Sequence, residues 1–106
     1  MKTPLALALF LLANTALAAD ADFILTIHAH RFEPAELTVP AAKKIRLRIE
    51  NRDATPEEFE SHELNREKVI PGNSSTTIFV GPLAPGRYPF FGEFNKDTAQ
   101  GALLAQ

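Results

Sequence analysis

Lys44-Ile45-Arg46-Leu47-Arg48-Ile49-Glu50 alternates charged and aliphatic residues without a break. Residues two apart in an extended chain point to the same face. Ile45, Leu47 and Ile49 therefore form one apolar face, and Lys44, Arg46, Arg48 and Glu50 form a wet one. A period of two held over seven residues is a β-strand lying on a core. On its amino side, Phe23 to His30 is rich in β-branched and aromatic residues, with Phe23, Leu25 and Ile27 on one parity and Ile24, Thr26, His28 and His30 on the other. Glu36-Leu37-Thr38-Val39 is a short edge-like run, closed by Pro40, which cannot donate to a ladder. On the carboxyl side, Pro71-Gly72-Asn73 and Gly81-Pro82 to Pro85-Gly86 are turn signals around the strand Thr76 to Val80. Arg87 to Phe91 returns as a strand, and Ala102-Leu103-Leu104 is a short apolar end.

Short strands recurring every 8–12 residues or so, with Pro and Gly between them, predict an all-β antiparallel sandwich or barrel. Helical periodicity of useful length is absent beyond the leader. At most one turn of helix is expected, near the loop before Glu57 or in the acidic segment that follows it. Residues 1–18 read as a cleaved secretory signal: a basic start at Lys2, an apolar run from Leu5 to Leu12, and the small-x-small site Ala16-Leu17-Ala18. That run falls short of the roughly 20 residues of a spanning helix. Residues 19–106 are then one exported domain, periplasmic and with no membrane insertion of its own.

The chain has 106 residues, 11 Lys and Arg against 13 Asp and Glu, and no Cys. Its formal charge is -2 with Lys2 counted and -3 without it, the wrong sign for a nucleic-acid binder. The lack of Cys removes thiolate nucleophiles, disulfide exchange and every thiolate metal site. No Gly-x-Ser-x-Gly elbow surrounds Ser61-His62 or Ser74-Ser75, so nucleophilic hydrolysis has no support.

Three segments carry chemistry. His28 and His30, two apart on a strand, would set their imidazoles about 7 Å apart, twice the ~3.4 Å rise. Such a pair needs a third ligand from elsewhere, and two solvent-facing histidines are the competing reading. Glu57-Glu58-Phe59-Glu60-Ser61-His62-Glu63 packs four carboxylates and an imidazole into seven residues. On a strand Glu58, Glu60 and His62 would share a face. Oxygen donors with one nitrogen suit iron, manganese or cupric ion rather than cuprous copper, and a cation relieves the mutual repulsion of the carboxylates. A solvated acidic edge that discourages strand pairing is the alternative. Glu93, finally, is the one acidic residue of the aromatic stretch Tyr88 to Phe94, where partial shielding makes a carboxylate costly without a ligand.

The order Phe32-Glu33-Pro34-Ala35-Glu36-Leu37-Thr38-Val39-Pro40, then Asn51, Glu58-Phe59-Glu60-Ser61, Glu67-Lys68-Val69-Ile70-Pro71-Gly72, Pro85-Gly86-x-Tyr88 and Gly92-Glu93-Phe94-x-x-Asp97-Thr98-Ala99-x-Gly101 resembles the cupredoxin-like domain of bacterial iron-uptake systems. That domain stands at the amino end of the periplasmic component of Efe-type ferrous-iron transporters. It also occurs alone, as a periplasmic partner of a high-affinity iron permease. The resemblance covers roughly residues 23–104 and implies a Greek-key β-sandwich of about seven short strands. It also implies a metal site at one end, between the loop after Asn51 and the hairpin after Tyr88. In blue-copper members the ligands would fall near Glu58, Gly92, Asn95 and Gln100. None of the blue-copper ligand types is present there, so type 1 copper is excluded. The Cys pair of some iron-uptake members, at the positions of Phe32 and Gly92, is also missing. The Glu-x-Glu pattern of the iron-uptake branch maps onto Glu58 and Glu60.

The resulting expectation is a metal-binding accessory of ferrous-iron uptake. Glu58 and Glu60 would take an iron or copper ion, with Glu93, His30 and His62 as further ligands. Its partners would be a permease and other periplasmic iron-uptake components. The rival is a metal-free docking module using the basic residues Lys43, Lys44, Arg46, Arg48 and Arg52. It is not expected to be an enzyme beyond assisting ferrous oxidation with a partner.

Overall fold

The computed structural model describes residues 21–106; the leader read at 1–18 lies outside the described residues. Nine strands run in the order β1 (Ala21–His28), β2 (Arg31–Glu33), β3 (Glu36–Val39), β4 (Ile45–Asn51), β5 (Glu57–Ser61), β6 (Arg66–Ile70), β7 (Ser74–Val80), β8 (Gly86–Gly92) and β9 (Gln100–Ala105). One 3-10 turn, Glu93–Asn95, interrupts them between β8 and β9. Among the described residues the 3-10 turn therefore falls at Glu93, after the aromatic strand; the acidic segment is strand from Glu57 to Ser61 and a hydrogen-bonded turn after it.

Two sheets form the sandwich, β2-β1-β4-β7 and β3-β9-β8-β5-β6. Both are mixed, which corrects the antiparallel expectation. β1 lies parallel to β4, with Leu25 beside Ile49, and β3 lies parallel to β9, with Leu37 beside Leu103. Every connection other than the hairpins β1–β2, β5–β6 and β8–β9 crosses from one sheet to the other. Parallel neighbours need long crossovers, and these passages supply them.

The alternation in β4 is realised as read: Ile45, Leu47 and Ile49 are fully buried, while Arg46 and Arg48 are exposed. Leu25 and Ile27 of β1 join them, and the opposite sheet contributes Phe59, Ile70, Phe90 and Leu103. Phe32 meets the rings of Phe90 and Phe59 edge-on at 4.9 and 6.1 Å between centroids, and Phe59 lies 5.0 Å from Phe90. Burying a large apolar side chain contributes about 1.5–3 kcal/mol, so this aromatic trio and its aliphatic surround hold a small thiol-free domain together.

One end of the sandwich is organised by Asn51, which is buried. Its amide nitrogen donates to the carbonyls of Thr55, Ile70 and Pro71 at 2.9, 3.1 and 3.3 Å, and its Oδ1 accepts from the Asp53 amide at 3.0 Å. These bonds draw the β4–β5 loop against the Pro71-Gly72 turn. A Cβ at Gly72 would lie 2.0 Å from the Ala54 carbonyl oxygen, so only glycine permits that approach.

Candidate metal centre

β5 places the two glutamates of the Glu-x-Glu pattern together. Glu57, Phe59 and Ser61 turn into the sandwich, while Glu58 and Glu60 are half-buried on the outer face of the five-stranded sheet. The β5–β6 hairpin then adds a residue that sequence reasoning did not assign: Glu67 lies directly opposite Glu60, and Val69 opposite Glu58. One carboxylate oxygen from each of Glu58, Glu60 and Glu67 lies within 4.8 Å of the others. The site is thus on a sheet face, where the resemblance had implied the end of the sandwich. Glu67 follows only from the register of the hairpin. Asn65 adopts the left-handed conformation (φ 52°) in the turn between Ser61 and Arg66, a conformation Asn tolerates, and that turn fixes 60 against 67.

Electrostatics marks the same group. The Glu58 carboxyl is pushed up to about 7 by a hydrogen bond shared with Glu67, by partial desolvation, and by the charges of Glu67, Glu60 and Glu93. Glu60 is raised by desolvation and by Glu93 and Glu67, with His62 pulling the other way. Like charges gathered this closely favour the protonated form, and a bound cation would relieve them equally well.

Glu93, at the start of the 3-10 turn, is near enough for its charge to raise Glu58 and Glu60, while the three converging oxygens are those of Glu58, Glu60 and Glu67; Lys96 pairs with Glu93 at 3.3 Å. His62 lies beside them, in the turn that follows β5. Its ring is 5.7 Å from that of Phe91, and it lines a recess of about 190 Å3 with Glu60, Ser61, Asn65, Arg66 and Glu67.

His30 is placed elsewhere. β1 ends at His28, and Ala29 (φ 51°) and His30 (φ 56°) turn away in the left-handed conformation. The strand-face pairing of His28 with His30 therefore does not form. Asp53 drives the turn: its two carboxylate oxygens accept the Ala29 and His30 amides at 2.8 and 2.9 Å. These bonds hold the Asp53 carboxyl below its ordinary value. The His30 ring meets Thr55 Oγ1 at 3.4 Å and its carbonyl accepts from Thr98 Oγ1 at 2.6 Å, neither residue belonging to the carboxylate group.

At the end of the sandwich, where the resemblance had put copper, the chain has built something else. Glu57, in place of Glu58, faces Gly92 and Asn95. Its Oε1 accepts from the Phe94 and Glu58 amides at 2.9 and 3.1 Å, and its Oε2 from the Asn95 side-chain amide at 2.6 Å. A Cβ on Gly92 would come within 2.6 Å of both Glu57 Cδ and Ala99 Cβ. Gln100 donates to the Lys96 carbonyl. With both carboxylate oxygens bonded, no thiolate and no imidazole, this donor set does not fit type 1 copper.

On the opposite sheet, Arg46 pairs with Asp22 at 3.5 Å, and Arg48 and Arg52 with Glu50 at 3.1 and 3.7 Å. Lys44 Nζ lies 4.7 Å from the centroid of the Phe79 ring. Among the described residues, no helix is long and apolar enough to cross a membrane.

A family model described as a cupredoxin-like domain matches residues 2–105. An uncharacterized protein of Rickettsia prowazekii (strain Madrid E) is 50% identical over 80 residues. That alignment covers 76% of this chain and 64% of the relative, so the chain spans less than two thirds of the relative's length. Among solved structures, auracyanin A, a blue copper protein of Chloroflexus aurantiacus, aligns with a TM-score of 0.71 at 15% identity, over 83% of this chain and all of that one. The metal-binding domain of the Streptococcus pneumoniae D39 Cu(I)-exporting P-type ATPase CopA, solved with Cu(I), aligns at 0.67 and 13% identity over 80% and 84%. Amicyanin from Paracoccus versutus aligns at 0.62 and 12% identity over 84% and 83%. At these identities the structural matches speak to the fold.

Proposed function

We propose, from the premise that this chain belongs to the cupredoxin-like domain family, that it is an exported metal-binding accessory of ferrous-iron uptake. It would hold iron or cupric ion on Glu58, Glu60 and Glu67, with Glu93 and His62 alongside. The observation that carries this reading is the convergence of three carboxylates within 4.8 Å on one sheet face, in a chain whose copper position is closed by its own Glu57. Hard oxygen donors favour ferric over ferrous ion, so the arrangement supports oxidation of captured iron or its delivery to a permease. The chain has no redox-active thiolate, so the electron released on oxidation would pass to a separate oxidising partner.

Capture would exchange a proton for a metal ion. The proton that relieves repulsion around Glu58 leaves as the cation enters, and the half-exposed face leaves the ion open to a receiving protein.

A docking role for the basic sheet is the second reading, favoured by the exposed side chains of Ile24 and Phe79 between Lys44, Arg46 and Arg48. Arg46, Arg48 and Arg52 are paired within the chain, which weakens it. Calorimetric titration with ferrous ion under anaerobic conditions, and separately with cupric ion, distinguishes the two. Saturable binding lost in Glu58→Gln and Glu60→Gln supports the metal role; traces without saturation in wild type and variants alike support docking.

A further inference from the structure

Glu57 is an acidic side chain left 1% exposed in a small domain, and burying a carboxylate is costly unless hydrogen bonds compensate it. Here three donors meet it. Two of them, the Phe94 amide and the Asn95 side-chain amide, belong to the two residues that follow Glu93. The third is the amide of Glu58 itself. Glu57 therefore links the strand that carries Glu58 and Glu60 to the turn that carries Glu93.

We propose that Glu57 is a positioning residue for the metal centre: its buried carboxylate fixes the turn Glu93–Asn95 so that Glu93 stands beside Glu58 and Glu60. This rests on the metal-binding reading. A carboxylate accepts on both oxygens, and three N–H donors converge on this one, two on Oε1 and one on Oε2. A Gln at 57 turns a donor onto one of those N–H groups, most directly the Asn95 amide. The glycine at 92 belongs to the same device, since any Cβ there would displace the Glu57 carboxyl. Because Glu57 alternates with Glu58 along one strand, the inward group anchors the turn while the outward group meets the ion.

The test is a double-mutant cycle on ferrous-ion affinity, measured by anaerobic calorimetry on the purified chain, with thermal melts confirming that each variant is folded. Glu93→Gln and Glu57→Gln are each expected to weaken binding about tenfold, the usual scale for losing a group that orients or supplies a ligand. The double variant should be no weaker than either single one, because Glu93 no longer contributes once the turn is released. Asn95→Ala loosens the same turn without touching β5, and is expected to give the same weakening and the same lack of additivity with Glu93→Gln; it carries the test if Glu57→Gln does not fold. Unchanged affinity in the folded Glu57→Gln or Asn95→Ala variant, or effects that multiply with Glu93→Gln, would overturn the positioning role while leaving the metal centre standing. No saturable binding by wild type would remove the metal centre, and this role with it.

Discussion

Glu60 and Glu67 face each other directly across the β5–β6 pair. Like charges directly opposite on neighbouring strands are destabilising. The pairing is therefore a local cost, and Glu58 and Glu93 enlarge it by adding two further carboxylates. Partners that remove the cost are a proton or a cation.

The proton gives a pH dependence whose sign follows from the raised Glu58 carboxyl. Folded Glu58 binds its proton up to about 7, against an ordinary value of 4.5. The folded state thus holds more protons than the unfolded state between those values, and the stabilisation is full below 4.5 and lost as pH rises through about 7. Thermal melts of the metal-free chain should show this component of stability falling between pH 5 and pH 8. Saturating cation should flatten it, and cation affinity should rise over the same interval.

Glu67→Gln separates binding from folding. Removing one of the opposed charges should raise the melting temperature of the metal-free chain at pH 8 and lower cation affinity by about tenfold, as loss of a ligand does. A parallel fall in both would show that Glu67 only supports the hairpin.

Asp53→Ala should destabilise the chain by about 1–3 kcal/mol, the cost of leaving amide donors without their charged acceptor. The Ala29-His30 turn loses the bonds that hold it left-handed. Denaturant unfolding measures the loss, and cation affinity should be unchanged because this turn lies apart from the carboxylates.

Phe90→Ala should cost about 3–5 kcal/mol, as large-to-small changes at buried aromatic positions do. Phe90 is 2% exposed and packs on both Phe32 and Phe59. Equilibrium unfolding would show it, with the carboxylate face of β5 and β6 intact in the fraction that remains folded.

What was legible in the chain, and what was not, follows from the range of the forces involved. The alternation of Ile45, Leu47 and Ile49 sorts inside from outside at a period of two, so β4 and the sandwich were readable, as was the outward pairing of Glu58 with Glu60. A period of two says nothing about which strand lies alongside, and the parallel partnership of β1 with β4 was missed for that reason. Glu67 required the hairpin register, and the turn at Ala29-His30 required Asp53, more than twenty residues away. Glu57 went unassigned because carboxylates are rarely buried; its three donors exist only once β5, β8 and the 3-10 turn have met.

The most direct measurement is anaerobic titration of the chain with ferrous ion, compared with Glu58→Gln and Glu60→Gln. Saturable binding to the wild type, weakened at least tenfold in each variant, is the predicted result; wild-type binding that both substitutions leave unchanged, or none at all, would contradict a carboxylate metal centre on this sheet.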